Sequence, residues 1–458
     1  MMKYQCYAEY KDSGVEWLGE IPSHWDLYSL KRSVDKCTNG FWGAEPDGIN
    51  DLCVLRVADF NRDNFLINEN KLTFRSIQPK EAENRLLKKG DLLIEKSGGG
   101  DKTLVGCVVM FDKEFSAITS NFVAKMTPNI NTDSKYLTYS FAHLYSGRVN
   151  FPSIKQTTGI QNLDSEAYLI EKFGFPPKNE QIQIANFLDH ETAKIDSLIE
   201  KQQQLIQLLK EKRQAVISHA VTKGLNPDVA MKDSGVEWLG EVPEHWDTTK
   251  IKYVAELTPK KSEVSSNDNR LCTFVPMEKL KLGSLIKDEE KPISEVIGGY
   301  TYFKNGDLLL AKVTPCFENK NMVVASDLKN GIGFGSSEIY VLRTNHKVNT
   351  QFLYYRLQED QFMELGTGAM TGAGGLKRVP SEFLNNFEFA LPPLSEQIAI
   401  TKYLNQYLIK NEYLMNKAQS AIQLMQERRT ALISAAVTGK IDVRNWQNPT
   451  EAKMEFSA

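Results

Sequence analysis

KDSGVEWLGEIPSHWD occupies residues 11–26 of the chain, and KDSGVEWLGEVPEHWD occupies residues 232–247. The two stretches, called the markers below, differ only where Ile21 corresponds to Val242 and where Ser23 corresponds to Glu244. Chance does not produce such a match, and an internal repeat decides the architecture before any other feature does. The chain is therefore a duplicated sequence.

A second pair of matching stretches lies further along each half. FPPKNEQIQIANFLDHE begins at Phe175 and LPPLSEQIAITKYLNQY begins at Leu391, and the two align without a gap. Between these stretches and the markers the match is weaker, but GDLLI from Gly90 aligns with GDLLL from Gly306. The period is far longer than the roughly 20–45 residues of a solenoid repeat. Each half is therefore one module, made of a marker, a variable body and a helix.

Each half ends in a long segment with the periodicity of a coiled coil. Apolar residues recur alternately four and three positions apart, which is the spacing of a coiled-coil seam. The two helices are predicted to begin after the Pro-Pro pairs, with Asn179 and Ser395 as N-caps, and to end at Gly224 and Gly439. The apolar seam residues are Ile195, Ile199, Ile206, Leu209 and Val216 in the first helix, and Met415, Ile422, Met425 and Leu432 in the second.

The two long helices are predicted to pack on each other and to form a rigid spacer. Neither helix can leave its apolar stripe in water, and a duplicated chain folding about a pseudo-twofold axis makes the pair antiparallel. The seam from Ile195 to Ala220 is ~37 Å long at ~1.5 Å per residue. One DNA turn, which separates half-sites in twofold DNA-binding proteins, is ~34 Å. A bundle core or a dimer interface would use the same stripe, so these alternatives stay open at this point.

The variable bodies carry the strand signals. Runs such as DLCVLRVADF, GDLLIEKSG and EIYVLRT alternate with turn residues and short helical stretches. The predicted fold class is α+β, with two mixed α/β bodies separated by two long antiparallel coiled-coil helices in a pseudo-twofold internal duplication. The predicted segments are residues 1–178 (first body), 179–224 (first long helix), 225–394 (second body), 395–440 (second long helix) and 441–458 (C-terminal tail).

The composition is typical of a soluble globular protein. Hydrophobic residues make up 41% of the chain and charged residues 25%, and no run approaches the ~18 apolar residues of a membrane span. The opening MMKYQCYAEYKDSG lacks the pattern of an export signal, so the expected location is the cytoplasm. Six scattered cysteines without a C-x-x-C pair argue against disulfides and a zinc site. The net charge of −3 requires any basic surface for nucleic acid to be local.

Two stretches of the first body have the composition of a nucleic-acid contact. KSGGGDK, from Lys96, places three glycines between two lysines, and glycines let backbone N–H groups approach an anion closely. It is not a Walker A loop, because Asp101 and not glycine precedes Lys102-Thr103. KQTTGIQNL, from Lys155, carries amide side chains that suit the edge of adenine. The predicted DNA contacts of the first body are Lys96, Ser97, Gly98, Gly99, Gly100, Lys102, Thr157, Thr158, Gly159, Gln161 and Asn162.

The second body carries stretches at the same alignment positions. KVTPCFENK from Lys312 corresponds to KSGGGDK, and TGAGGLKRV from Thr371 corresponds to KQTTGIQNL. Lysine and arginine side chains suit the edge of guanine. An isolated loop of this kind is usually just a loop, and it is the repeat that favours a binding role. The predicted DNA contacts of the second body are Lys312, Thr314, Thr371, Gly375, Lys377 and Arg378.

No feature of the sequence indicates catalysis. The His-Trp pairs of the markers, His24-Trp25 and His245-Trp246, have no nucleophile nearby, and we interpret them as structural side chains that pack where each body meets a helix end. N-P-P-F, D-P-P-Y, H-E-x-x-H and G-x-S-x-G are all absent from the sequence. No catalytic residue and no metal ligand are predicted, and the chain is expected not to be an enzyme.

Three motifs together resemble the DNA specificity subunits of type I restriction-modification systems. They are the marker GVEWLGEIPSHWD, the helix start PP-x-x-EQ-x-x-I, and the helix ends KRQAVISHAVTKG and RRTALISAAVTGKI, all present twice in the expected order. The resemblance covers essentially the whole chain. It implies that each body is a target-recognition domain for one half of a split DNA target, and that the paired helices set the unread spacer. Because KSGGGDK of the first body corresponds to the different KVTPCFENK of the second, the two bodies are expected to read different half-sites of an asymmetric target.

The resemblance also implies partners. These are double-stranded DNA, two methyltransferase subunits that bind S-adenosylmethionine and methylate adenine, and ATP-dependent restriction subunits that translocate DNA. S-adenosylmethionine, ATP and Mg²⁺ would be bound by those subunits, so no cofactor is expected in this chain, and no membrane partner is expected either. Two other functions stay open: an autonomous DNA-binding regulator, which would need enough basic surface to bind alone, and a coiled-coil scaffold without a nucleic-acid role.

Overall fold

The protein divides into two compact units that do not follow chain order. The structure, a computed structural model, describes residues 4–99, 103–157, 159–373 and 375–448. The first unit combines the chain up to Gln202 with the chain from Ser420 onward, and the second unit is Gln203–Gln419. Each unit therefore contains one variable body, part of one long helix and part of the other.

The first unit contains a mixed body, the beginning of the first long helix and the end of the second. Its helices are α1 (Pro79–Ala82), α2 (Ser134–Ser146), α3 (Ser165–Tyr168), the start of α4 (Lys178–Lys223) and the end of α10 (Leu394–Val437). Its strands are β1 (Tyr10–Asp12), β2 (Glu20–Pro22), β3 (Asp26–Ser29), β4 (Val34–Asn39), β5 (Asp51–Leu55), β6 (Phe60–Asn61), β7 (Leu66–Ile67), β8 (Phe74–Ser76), β9 (Leu92–Glu95), β10 (Ser97–Gly98), β11 (Val108–Met110), β12 (Ala117–Thr119), β13 (Val123–Pro128), β14 (Ile154–Thr157), β15 (Ile160–Leu163) and β16 (Lys172–Phe175).

The core of this body lies on both faces of one antiparallel sheet, with strand order β11-β9-β13-β4. Side chains of a strand point alternately to opposite faces. Leu92 and Ile94 of β9 accordingly pack with α2 and the long helices, whereas Leu93 packs on the other face with residues of β5. Because both faces are covered, GDLLI reads as a continuous apolar run. A smaller sheet of order β12-β5-β8 lies in the same body.

The second unit repeats this plan. Its helices are the end of α4, α5 (Ile251–Val254), α6 (Ile293–Val296), α7 (Thr350–Arg356), α8 (Asp360–Gly368), α9 (Ser381–Asn386) and the start of α10 (Leu394–Val437). Its strands are β17 (Met231–Asp233), β18 (Glu241–Pro243), β19 (Asp247–Lys250), β20 (Ala255–Leu257), β21 (Leu271–Val275), β22 (Leu280–Lys281), β23 (Ser284–Leu285), β24 (Glu290–Pro292), β25 (Thr301–Lys304), β26 (Leu308–Ala311), β27 (Met322–Val324), β28 (Ile332–Gly335), β29 (Ile339–Thr344) and β30 (Glu388–Leu391).

The main sheet of the second body has the order β20-β29-β26-β27, and β26 occupies the place that β9 has in the first body. Leu308 and Leu310 pack on one face and Leu309 on the other, as in GDLLI. The predicted fold class, α+β with two mixed bodies and two long helices, is confirmed. None of the helices in the described ranges combines the length and the hydropathy needed to cross a bilayer.

Each marker fastens its body to the start of a long helix through one carboxylate. In the first unit Trp25 is fully buried and donates its Nε1 hydrogen bond to Glu180 Oε1 over 2.9 Å. His24 Nε2 lies 2.8 Å from Glu180 Oε2, and Tyr7 donates its hydroxyl to Oε1 over 2.6 Å. Burial and the neighbouring carboxylate raise the pKa of Tyr7 far above its usual value, so the phenol stays a donor. The structural interpretation of this His-Trp pair is confirmed.

The second unit uses the same anchor with fewer donors. Trp246 Nε1 donates to Glu396 Oε2 over 3.1 Å, and His245 Nε2 lies 2.8 Å from the same oxygen. Asp228 stands where an alignment of the markers places Tyr7 of the first unit, so the tyrosine donor is missing there. Glu396 is accordingly more exposed than Glu180.

The glutamine after each of these carboxylates closes the junction. Gln181 donates to the Pro176 carbonyl over 2.9 Å and accepts from the Asp133 backbone N–H over 2.9 Å. Gln397 does the same with Pro392 and Asn349, over 2.8 Å and 2.7 Å. An amide side chain is suited to this role because it both donates and accepts. The repeated motif PP-x-x-EQ is therefore architectural.

The predicted N-caps of the long helices are wrong. Helix α4 begins at Lys178 and α10 at Leu394, so Asn179 and Ser395 lie inside the first turn. The backbone N–H groups of Glu180 and Gln181 both donate to the Pro177 carbonyl, over 2.9 Å and 3.0 Å. Proline already has the φ angle of a helix start, and the helix begins at the Pro-Pro pair without a capping side chain.

The long helices pack on each other within each unit. In the first unit, Ile195 near the start of α4 shares a cluster with Leu432 near the end of α10, and Arg429 Nε lies 3.0 Å from Asp196 Oδ1. In the second unit, Asn411 donates to the Leu209 carbonyl over 3.1 Å. The start of one helix meets the end of the other, which makes the pair antiparallel. The structure buries or half-buries the predicted seam residues Ile195, Ile199, Ile206, Leu209, Val216, Met415, Ile422, Met425 and Leu432.

Removing the carboxylate should destabilise the first unit more than the second. We expect Glu180→Ala to cost about 2–4 kcal/mol, because it leaves the buried Trp25 indole and Tyr7 hydroxyl without their acceptor. Glu396→Ala is the matched control, and it should lower the melting temperature less. Thermal unfolding followed by tryptophan fluorescence measures both variants. An equal fall in melting temperature for both variants would show that the extra donor and the deeper burial of Glu180 do not add to its contribution to stability.

Candidate nucleic-acid interface

The two predicted contact stretches of the first body form one small antiparallel sheet. In β10, Ser97 pairs with Asn162 and Gly98 pairs with Gln161, both of β15. Strand β15 in turn pairs with β14 as a hairpin. The Leu163 N–H also donates to the Lys96 carbonyl over 2.8 Å. We call β10, β14 and β15 the first hairpin sheet. Stretches more than fifty residues apart in the chain are thus brought together.

The side chains of the first hairpin sheet fall into two groups. Lys96 donates to Asn39 Oδ1 over 2.6 Å, and Ser97 donates its hydroxyl to Oδ1 of the exposed Asn162. Gln161 is only 5% exposed and accepts from the Val105 backbone N–H over 3.0 Å. Its amide therefore supports the neighbouring loop from within, while Asn162 faces outward as strand alternation requires.

Packing explains two of the three glycines of KSGGGDK, Gly98 and Gly99. A Cβ on Gly98 would lie 2.9 Å from Glu95 Oε1, and one on Gly99 would lie 2.7 Å from the Thr103 carbonyl. No side chain fits at either position, which lets the loop lie directly on β15 and on the buried Glu95. The predicted contacts Gly100, Lys102 and Thr158 lie outside the described residues, Thr157 is described only through its backbone pairing in β14, and Gly159 belongs to the exposed turn of the hairpin.

The second body forms the same backbone arrangement, which we call the second hairpin sheet (residues 312–314, 371 and 377–379). The Val379 N–H donates to the Lys312 carbonyl over 2.9 Å, as Leu163 does to Lys96 in the first body. Arg378 forms antiparallel bridges to Val313 on one side and to Thr371 on the other. Both bodies therefore present a central extended segment that pairs with a neighbouring segment on each side at this place.

The side chains of the second hairpin sheet are chemically different. Arg378 forms a bidentate ion pair with Glu338, in which Nε donates to Oε2 over 2.9 Å and Nη2 donates to Oε1 over 2.7 Å. Thr314 donates its hydroxyl to the Gly375 carbonyl over 2.7 Å and accepts from the Lys377 N–H over 3.0 Å. The Lys312 ammonium lies 5.0 Å from the centre of the Tyr340 ring. The Lys377 side chain is exposed.

A buried ion pair lies beneath the first hairpin sheet and could not be predicted from the sequence. Glu95 is fully buried, and Arg62 Nη2 donates to its Oε2 over 2.8 Å. Arg62 also donates to the Tyr145 hydroxyl over 3.2 Å, and Tyr145 donates to the Leu104 carbonyl over 2.6 Å. Burial raises the pKa of Glu95 even though Arg62 opposes the shift. The aligned residue of the second body is Ala311, so this support is specific to the first body.

Within residues 4–99, 103–157, 159–373 and 375–448, no group of three or more His, Cys, Asp or Glu side chains is arranged to hold a metal ion. The geometry on each body is that of a small exposed sheet with polar and cationic side chains.

The family model of the type I restriction modification DNA specificity domain matches residues 61–208 and 243–424, well over half of the chain. The chain belongs to this specificity family. The two matched regions contain most of the two variable bodies, and the predicted resemblance is thereby confirmed. The matched model is that of a DNA specificity domain, and the prediction that the chain is not an enzyme agrees with that family.

Individual specificity subunits show how far the likeness extends. The type I restriction enzyme EcoAI specificity subunit of Escherichia coli is 35% identical over 190 residues, which are 41% of this chain and 32% of that protein. The match therefore spans about a third of that relative's length. The MjaVIII specificity subunit of Methanocaldococcus jannaschii is 24% identical over 343 residues, 72% of this chain and 75% of that protein.

The fold is also similar to that of a solved chain from a type I restriction-modification system. A chain solved in work on complex assembly and conformational transition of the type I restriction-modification system has a TM-score of 0.64 at 14% identity. The alignment covers 91% of this chain and 98% of that one. At this identity the likeness concerns the fold alone.

The ion pair beneath the first hairpin sheet predicts a pH-dependent variant. Arg62→Ala leaves a buried carboxylate alone and raises the pKa of Glu95 further. Protonated Glu95 is then tolerated, so the loss of stability relative to the wild type is smallest at low pH and grows as the pH rises through that pKa. We expect a loss of about 3 kcal/mol at pH 8 and a smaller loss at pH 5, measured by thermal unfolding. The double variant Arg62→Ala, Glu95→Gln should lose this pH dependence; equal losses of Arg62→Ala at both pH values would contradict the argument.

Proposed function

We propose that this chain is the DNA-recognising subunit of a type I restriction-modification complex that reads a bipartite target, one part with each body. The observation that carries the proposal is the pair of hairpin sheets, which have the same backbone pairing and different outward side chains. On this proposal the antiparallel helices fix the unread gap between the two parts of the target.

The proposed target is asymmetric. The exposed position of the first hairpin sheet holds Asn162 beside Ser97, whereas the aligned position of the second holds Arg378 beside Glu338. An amide suits adenine and a guanidinium suits guanine. Two bodies with such different donors and acceptors would bind different half-sites, and the full target would not be palindromic.

The proposed partners are two methyltransferase subunits that methylate adenine and restriction subunits that translocate DNA, which together would carry S-adenosylmethionine, ATP and Mg²⁺. Exposed apolar side chains on the long helices support the presence of protein partners: Leu208 is 61% exposed, Ile409 71% and Leu424 65%. Apolar side chains repeated along an exposed helix face are typical of protein contacts. A complex of this kind acts on cellular DNA, which places it in the cytoplasm.

A body exchange tests the proposal. The chain is co-expressed with its methyltransferase subunits, and genomic methyladenine is mapped by single-molecule sequencing. We expect one bipartite asymmetric motif. Replacing residues 27–174 with the corresponding body of another family member should change one half of that motif and leave the other half unchanged.

The same experiment separates the competing functions. A coiled-coil scaffold predicts that the exchange leaves DNA modification as it was. An autonomous DNA-binding regulator predicts that the purified chain binds one DNA sequence at physiological salt as tightly alone as with a methyltransferase subunit. Either result would contradict the proposal.

Lengthening the helix pair should widen the gap in the motif. One heptad inserted between Leu205 and Arg213, with a matching heptad after Asn411, lengthens the helices by ~10 Å. At ~3.4 Å per base pair, the methylated motif should gain about three unread base pairs. Asn411 is the matching point because its side chain bonds the Leu209 carbonyl. Replacing residues 206–212 by another seam-compatible heptad of equal length is the control. An unchanged gap after insertion would refute the spacer role.

A further inference from the structure

We propose that Asn162 and Arg378, which occupy the same position in the two hairpin sheets, are the specificity-determining residues of the two bodies, and that Arg378 reads a guanine. The inference rests on the proposed function and deepens it, because it assigns base recognition to one position out of the many side chains at the interface. Of the two residues, Arg378 has the more complete set of side-chain contacts.

The equivalence of the two positions follows from backbone hydrogen bonds. Leu163 and Val379, the next residues, donate to the carbonyls of Lys96 and Lys312 respectively, over 2.8 Å and 2.9 Å. Lys96 and Lys312 in turn donate their own N–H groups to the carbonyls of Phe122 and Glu338, over 2.7 Å and 3.0 Å. The same ladder therefore places Asn162 and Arg378 on the central strand of each sheet, one residue before a buried side chain.

Arg378 is held in a defined orientation but keeps one edge open. Glu338 occupies Nε and one position on Nη2, and the side chain of Arg378 is 48% exposed. No acceptor from the described part of the chain lies on Nη1. The outer edge formed by Nη1 and Nη2 therefore presents two donors side by side. Guanine presents the complementary pair, O6 and N7, in the major groove.

Glu338 acts as a positioning residue in this arrangement. A free arginine side chain loses rotamer freedom when it binds, and holding it in place beforehand reduces that loss. The ion pair lowers the pKa of Glu338, so the carboxylate stays charged at neutral pH. In the first body Ser97 holds Asn162 in the same way, through a hydrogen bond from the neighbouring strand.

The ion pair alone does not distinguish Arg378, and the chain offers a matched control. Arg270 forms a similar bidentate ion pair with Asp268 in the same body, in which Nε and Nη2 donate to the carboxylate over 3.0 Å and 2.7 Å. Arg270 is also exposed, but it lies on no hairpin sheet and has no base-reading counterpart in the first body. Arg270→Ala therefore removes the same charge and the same type of ion pair without touching the proposed position.

The test uses the complex of the full chain with its methyltransferase subunits and a duplex that carries its mapped motif. The half-site of the second body is the half that the exchange of residues 27–174 leaves unchanged. Each guanine in that half-site is replaced in turn by 7-deazaguanine, which lacks N7, and binding is followed by fluorescence anisotropy. For the wild-type complex, one such replacement should weaken binding about tenfold. Arg378→Ala should weaken binding to the unmodified duplex about 10- to 100-fold and should remove the sensitivity to that replacement.

The variants around Arg378 give further decisive outcomes. Arg270→Ala should keep the wild-type sensitivity to 7-deazaguanine, and Glu338→Gln should reduce it while retaining the arginine. Arg378→Lys preserves the charge, so it should bind DNA but tolerate other bases at this position in the methylation map; this variant keeps the test decisive if Arg378→Ala does not fold. Full retention of 7-deazaguanine sensitivity in Arg378→Ala, or a second half-site without guanine in either strand, would overturn the inference.

The outcome also separates this inference from the proposed function. If the wild-type complex methylates no bipartite motif, the proposed function fails. If the motif is present and Arg378→Ala or Arg378→Lys reads it with unchanged stringency, the proposed function stands and only the assignment of the reading position fails.

Discussion

One carboxylate at the start of each long helix, buried at Glu180 and half-buried at Glu396, is the constraint on which the structure depends. A carboxylate is tolerated in an apolar junction only when donors surround it, and here the marker supplies them. Trp25, His24 and Tyr7 form hydrogen bonds with Glu180, and the corresponding His-Trp pair of the second unit forms hydrogen bonds with Glu396. Marker and helix start must therefore be kept together, which explains why the marker is nearly identical in both halves and why PP-x-x-EQ recurs at both helix starts, while the bodies between them have diverged.

In the hairpin sheets, the position of each strand and the chemistry of its outward side chains are determined independently. The central strand of each sheet is positioned by backbone hydrogen bonds, such as those from Leu163 to Lys96 and from Val379 to Lys312. Backbone pairing does not depend on the identity of outward side chains. An asparagine in one body and an arginine in the other can therefore occupy the same place without any change of fold. A duplicated chain can in this way acquire two different recognition surfaces on one framework.

The internal repeat was enough to predict the architecture, whereas contacts between residues far apart in the sequence could not be predicted. Marker, PP-x-x-EQ and the four-three spacing are local patterns, so the modules, the long helices and the role of the His-Trp pairs followed from them. The inward direction of Gln161 depends on its register with β10, which no local pattern contains. The pairs Arg62–Glu95 and Arg378–Glu338 join residues 33 and 40 positions apart and leave no periodic signal. The N-cap prediction failed because the Pro-Pro pair itself starts each helix.

The acidic balance of the chain fits a recognition subunit that does not hold DNA alone. Non-specific affinity for DNA comes from cations that are free to neutralise phosphates. Around the hairpin sheets several cations already have partners within the chain: Lys155 lies 3.1 Å from Asp164, Lys96 bonds Asn39, and Arg378 bonds Glu338. Such groups contribute directional contacts at short range and little long-range attraction. On the proposed function, phosphate binding would then fall to the partner subunits, and the hairpin sheets would choose the sequence at which the assembled complex stays.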